Sequence, residues 1–168
     1  MKARTALVSL CIALFLPGAR TAAAQAESPA QRDARMQWWR EARFGMFVHW
    51  GLYSALAGTW EGKPVATSGG MEWIQQRVKA DTDTYAAKAI PLFRPKPGFA
   101  REWARLAKEA SCKYVVFTTK HHDGFALHDS KISDYDAGSV LQRDLVKEIV
   151  DALHTENLRV NFYHSVID

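Results

Sequence analysis

The sequence predicts an α/β fold with a parallel sheet, and three observations carry that prediction. Tyr114 to Phe125 opens as an aromatic and β-branched run, short enough for a strand and apolar on both faces, as a strand covered on both sides requires. Before it, Phe99, Trp103, Leu106, Ala107 and Ala110 recur at three- and four-residue steps, the spacing of one helix face. After it, a helical stretch and then Leu158 to Tyr163, which alternates apolar and polar residues, complete a strand, loop, helix, strand rhythm.

Taken in order, residues 1 to 24 stand apart from that fold. Lys2 and Arg4 form a positive start, Ala6 to Leu16 an apolar centre, and Ala22, Ala23 and Ala24 offer small residues ahead of Gln25. That is the architecture of a secretory signal peptide cleaved after Ala24, and it predicts a secreted or periplasmic protein. The apolar run is shorter than the ~20 residues a spanning helix needs. A lipid anchor on Cys11 would want a small residue before it, and Leu10 stands there.

Cleavage leaves about 144 residues, 25 to 168, expected as one unit because no repeat or linker interrupts them. Lys2, Arg4 and Arg20 leave with the leader, so 22 basic side chains fall to 19 against 18 acidic ones. A net charge of +1 without a basic cluster gives no footprint for nucleic acid. Cys112 is then the sole cysteine, which excludes an intrachain disulfide and suits a buried thiol. Six Trp in so short a chain favour a carbohydrate ligand, whose apolar ring faces pack on aromatic ones.

Within that unit, a short helix is expected around Asp33 to Glu41. A buried strand from Phe44 to Val48 then ends at His49, with Gly51 as its breaker. Leu52 to Gly70 is expected to be a long loop that delivers Glu72 and Trp73 to the opening of a helix reaching Ala80. A second helix, Asp83 to Ala89, has Asp81 or Thr82 as its cap, and Pro91, Pro95 and Pro97 break the chain after it. The Phe99 helix feeds the Tyr114 strand, expected to be central. At that strand's end the composition flips to Lys120, His121, His122 and Asp123, and Gly124 turns the chain away. Ala126 to Gln142 is expected as loop, Asp144 to Glu156 as a helix on Leu145, Ile149 and Leu153, and Leu158 to Tyr163 as the last strand, with Tyr163 and His164 at its end.

Ligands of α/β folds sit at the carboxyl ends of the strands. His49, the run Lys120 to Asp123, and Tyr163 with His164 stand at such ends, so chemistry is expected there. Asp123, ahead of a turn glycine, is expected to fix the His121-His122 loop.

These strings carry a resemblance. Arg43 to Gly51, Glu72-Trp73, Lys113 through Phe125, Arg143 to Val146 and Tyr163-His164-Ser165, in that order and spacing, resemble the amino-terminal part of the α-L-fucosidases of glycoside hydrolase family 29. The resemblance runs from about Trp38 to the last residue. It implies the first part of a (β/α)8-like TIM barrel, incomplete in this chain, and retaining hydrolysis of terminal α-L-fucose. By position it implies that His49, Glu72, Trp73, His121, His122 and Tyr163 line the fucose pocket, with no cofactor and no metal. The implied partner is a fucosylated oligosaccharide or glycoconjugate. The chain departs from the family pattern at Ile74 and His128, where the family commonly has aromatics.

Retaining glycosidases need two carboxyls about 5 to 5.5 Å apart. In the family both come from later strands, so the nucleophile and the acid/base are expected beyond Asp168. Two other readings stand beside this one: a sugar-binding remnant without catalysis, and a metal hydrolase using His49, His121, His122 and Asp123.

Overall fold

The computed structural model describes residues 26–65 and 70–166, so the expected leader lies outside the described residues. The chain divides into two compact units, Met1–Met36 and Gln37–Asp168. Helix α1 (Pro29–Ala42) starts ahead of its expected position. The reason is a reciprocal cap: Gln31 N–H donates to Ser28 Oγ at 3.3 Å and Ser28 N–H to Gln31 Oε1 at 2.9 Å, with Pro29 at the first helical position.

The second unit is an α/β arrangement around a three-stranded parallel sheet of β1 (Met46–Val48), β4 (Tyr114–Lys120) and β5 (Arg159–His164), in the order β1-β4-β5. The Tyr114 strand is central, as its two apolar faces require. Between β1 and β4 lie α2 (Leu52–Leu56), the hairpin β2 (Thr59–Trp60) and β3 (Lys63–Pro64), α3 (Ile74–Val78), α4 (Thr82–Ala89) and α5 (Phe99–Glu109). Between β4 and β5 lie α6 (Ala137–Leu141) and α7 (Leu145–Thr155). Among the described residues no helix is long and apolar enough to cross a membrane.

Four local expectations are corrected. The first strand begins at Met46, because Arg43 adopts a left-handed φ of 57° and Phe44 is exposed. Gly45 follows because the Tyr114 ring occupies the space a Cβ would need. The expected loop after Gly51 instead holds α2 and the hairpin, since Leu52, Tyr53 and Leu56 share a helical face and are buried. Glu72 lies in a 3₁₀ turn (Met71–Trp73), and the helix after it stops at Val78 where Lys79 takes a left-handed φ of 53°. Finally, α6 interrupts the expected second loop, nucleated by Asp136, whose carboxylate accepts from Ser139 N–H at 3.0 Å.

The amphipathic helices behave as expected. Asp81 caps α4 by accepting from Thr84 N–H, and Asp144 caps α7 by accepting from Lys147 N–H. Helices α5 and α7 bury Ala100, Ala104, Ala107, Ile149 and Leu153 with Val115 and Phe117 of the sheet. Trp50 and Trp103 join Phe93, Phe99 and Phe117 in one aromatic cluster, rings 4.8 to 6.5 Å apart. Cys112 is buried at the end of α5, and Ile74 is buried in the core.

Candidate functional site

Because β1, β4 and β5 run parallel, their carboxyl ends meet along one edge of the sheet. The register pairs Phe47 with Val116 and Thr118 with Tyr163, so Phe47, Thr118 and Tyr163 share the face opposite the buried Phe117. His49, two residues after Phe47, falls on the same face, and its ring lies 4.4 Å from that of Phe47.

His121 reaches that face through an irregularity. Strict alternation from Thr118 would aim Lys120 at Tyr163's side and His121 away from it. The ladder instead advances from Thr118↔Tyr163 to Lys120↔His164, a bulge of one residue at Thr119 that inverts the alternation. His121 consequently stacks on Tyr163 with centroids 5.0 Å apart at 28°, and lies 5.5 Å from His49. His164 is carried the other way, its Nδ1 2.8 Å from Thr119 Oγ1.

The remaining candidates come from the turns. His122 meets His121 edge-on at 4.6 Å and stacks under Trp73 at 4.0 Å and 29°. Its Nδ1 lies 3.0 Å from Ser165 Oγ, just past β5, which fixes the ring. Glu72 precedes Trp73 in the 3₁₀ turn and occupies the space over Gly70, whose φ of 108° suits glycine. All six predicted residues are thus gathered at one rim: five through ring contacts, and Glu72 through its charge on His121.

The electrostatics follow from burial. His121 is 4% exposed. Its pKa falls to about 4, first because burial penalises the imidazolium and then because His122 and His49 stand beside it, with Glu72 opposing. It is therefore neutral at ordinary pH. Its Nδ1 accepts from His122 N–H at 2.9 Å, which leaves the ring proton on Nε2 as a hydrogen-bond donor.

Asp123 is held inside the turn, as its position ahead of Gly124 suggests. One oxygen accepts from Phe125 N–H at 3.3 Å and the other from the Tyr85 hydroxyl at 3.4 Å. Burial pushes its pKa up to about 6 despite those hydrogen bonds.

Sequence reasoning missed Tyr53 and Tyr85. Tyr53 sits on α2, edge-on to His121 at 5.5 Å. Tyr85 anchors Asp123 from α4. The helical recurrence of Leu52, Tyr53 and Leu56 could have flagged the first. Nothing short of the tertiary fold flags the second, a bond across 38 residues. Among the six Trp, only Trp73 joins this rim.

Beside the rim opens a pocket of about 640 Å³ that shares Glu72, Trp73 and His122 with it and continues past Asp123 and Gly124. Its walls omit His49, His121 and Tyr163, so the rim and the pocket adjoin without coinciding. Among the described residues no three His, Cys, Asp or Glu side chains gather closely enough to hold a metal ion. The metal-hydrolase reading therefore finds no donor set there.

With this geometry in hand, comparison with known proteins is specific. A family model described as Alpha-L-fucosidase matches residues 17–168. Human tissue alpha-L-fucosidase is 33% identical across the whole chain, which spans 39% of that relative. Human plasma alpha-L-fucosidase is 32% identical over 81% of the chain and 31% of its own length. Among solved structures, a Bacteroides thetaiotaomicron alpha-L-fucosidase, trapped as a covalent intermediate with 2-fluoro-fucosyl fluoride, superposes with a TM-score of 0.74 at 40% identity. That match covers 81% of this chain and 31% of that one. A Lactobacillus casei alpha-L-fucosidase in complex with alpha-L-fucose gives 0.68 at 35%, over 77% and 40%. The chain therefore spans between about a third and two fifths of the relatives it matches. A family match over nearly all of its residues, with a parallel α/β core superposing on those structures, means that the chain belongs to the alpha-L-fucosidase family.

Proposed function

We propose that this chain forms the fucose-binding part of a secreted or periplasmic alpha-L-fucosidase acting on fucosylated glycans or glycoconjugates. The observation that carries the reading is the meeting of His49, His121 and Tyr163 from three parallel strands, rings 5.0 to 6.0 Å apart. A 6-deoxyhexose presents hydroxyls that donate and accept, together with an apolar methyl. The neutral His121 offers an Nε2 donor, Glu72 offers acceptors, and Trp73 and Tyr163 offer aromatic surface.

The catalytic part of the proposal is a retaining double displacement on a (β/α)8-like barrel. A retaining site holds two carboxyls about 5 to 5.5 Å apart. Near the rim stand Glu72 and Asp123, and Asp123 is enclosed by Tyr85 and Phe125 where an attacking oxygen has no path. That leaves Glu72 without a second carboxyl, and the resemblance to the family implies that the nucleophile and the acid/base come from strands other than β1, β4 and β5. The half-exposed Phe47 and Phe162 on the two outer strands suit a sheet that continues on both sides. Residues 26–166 hold fucose without cleaving it. Export rests on residues 1–24, and amino-terminal sequencing of the exported protein should begin at Gln25.

Titration calorimetry with L-fucose and D-galactose tests the pocket. A clear preference for L-fucose is expected, and equal or absent binding removes the assignment.

A further inference from the structure

The buried hydroxyl of Thr119 serves neither the apolar core nor the sugar directly. Thr119 is 6% exposed and stands at the bulge of β4, where the ladder to β5 skips a residue. A bulged residue loses its regular place between the strands, so other bonds must hold it. Its carbonyl accepts from Leu127 N–H, in the following loop, at 2.8 Å. Its side chain reaches back to β5: Thr119 Oγ1 donates to the Tyr163 carbonyl at 3.1 Å and lies 2.8 Å from His164 Nδ1.

A hydroxyl carries one proton. With that proton given to the Tyr163 carbonyl, Oγ1 accepts from the imidazole, so Nδ1 is a protonated nitrogen of His164. A chain of two hydrogen bonds, from His164 Nδ1 through Thr119 to the Tyr163 carbonyl, therefore crosses the bulge. The ladder resumes just beyond it, where Lys120 pairs with His164 and Ser165 N–H donates to the Lys120 carbonyl at 3.0 Å. Threonine suits the place because its branched Cβ restricts χ1.

Two rim residues depend on this stitch. Tyr163 owns the bonded carbonyl, and His121 follows Thr119 by two positions, its ring stacked on that of Tyr163 at 5.0 Å. A slip to regular pairing would turn His121 to the other face of the sheet.

We propose that Thr119 is a positioning residue of the sugar site: its hydroxyl, donating to the Tyr163 carbonyl and accepting from His164, pins the bulge and so keeps His121 on the face of Tyr163. This rests on the fucose-binding reading above. Thr119 lies on the sheet face opposite the Tyr163 ring, so it acts through those two residues and not on the ligand.

Calorimetry with L-fucose and nuclear magnetic resonance on the intact protein test it. In the wild type, the imidazole nitrogen spectrum of His164 should show a protonated Nδ1; an unprotonated Nδ1 overturns the inference, whether or not any variant folds. Thr119→Val keeps the branched shape and removes the hydroxyl. It is expected to weaken L-fucose binding about tenfold and to erase the proton contacts between the His121 and Tyr163 rings, with the amide spectrum otherwise dispersed as in the wild type. Thr119→Ser restores the hydroxyl and should recover most of both. Thr119→Val with wild-type affinity, or with the ring contacts intact, overturns the inference and leaves the fucose reading standing. So does a Thr119→Ser variant as weak as Thr119→Val. Absence of L-fucose binding by the wild type overturns the fucose reading and this inference together.

Discussion

The indole of Trp73 lies 4.0 Å from the imidazole of His122, tilted by 29°, although 49 positions separate them in the chain. This stack ties the 3₁₀ turn after Gly70 to the turn after β4, and it leaves Trp73 at the partition between rim and pocket. Trp73→Ala removes both the wall and the support of His122. It is expected to weaken L-fucose binding at least tenfold, about 1.4 kcal/mol or more by calorimetry. Trp73→Phe keeps a stacking partner and should recover part of that loss.

Gly70→Ala acts on the other member of the pair that the turn delivers. A Cβ at Gly70 would run into the Glu72 carboxylate, and the φ of 108° is strained for alanine. The expected result is a stability loss of about 1 to 3 kcal/mol in denaturant melts. Fucose affinity should fall more than in a Glu72→Gln variant, because the turn and not one charge is displaced.

Asp123 and His121 impose opposite pH dependences on stability. The Asp123 pKa of about 6 lies above its ordinary 3.8, so the folded state binds the proton that the unfolded state releases, and stability falls as pH rises between them. The His121 pKa of about 4 lies below its ordinary 6.5, so the unfolded state binds the proton, and stability rises with pH across that interval. The two nearly offset. Asp123→Asn should leave a melting temperature that climbs from pH 4 to pH 6.5, with a change on the order of 2 kcal/mol relative to wild type over that range. His121→Gln should leave one that declines. Parallel profiles for wild type and variants would contradict the burial argument.

Arg143 offers a test of the scaffold away from the rim. Its guanidinium grips the Glu148 carboxylate through two bonds of 2.7 Å, donates to the Pro95 carbonyl at 2.8 Å and lies over the Phe99 ring. It joins the starts of α5 and α7. Arg143→Lys keeps the charge but not the planar fork, and is expected to cost about 1 to 3 kcal/mol in chemical unfolding without altering ligand affinity.

The core sets the scale. Phe117 is fully buried between the sheet and the Trp50-Trp103 cluster, so Phe117→Ala should cost about 3 to 5 kcal/mol. Leu153→Ala on α7, equally buried, is expected to cost about 2 to 5 kcal/mol.

Much of this arrangement was legible before any coordinates. The strands ending at His49, His121 and Tyr163, and the helices on Phe99 and Leu145, follow from periodicity, because one buried face fixes where apolar side chains recur. Short elements were not legible. A helix of five residues such as α2 or α6 carries too few turns for a pattern, and its residues look like loop until burial is known. The Ser28 cap and the left-handed turns at Arg43 and Lys79 displaced boundaries that composition alone does not mark. The Tyr85 bond to Asp123, and the pocket between α3 and the segment before α6, arise from chain crossings that no local window contains.

The extra residue in β4 has a consequence for any attempt to move this chemistry elsewhere. Flattening the bulge, so that Thr119 takes a regular place in the ladder, would exchange neighbours: lysine would point where histidine now does. The working unit is the motif together with its defect in the ladder. Libraries that lengthen this strand by one residue beside Thr119 should accordingly lose ligand recognition, because the added residue turns His121 away from Tyr163.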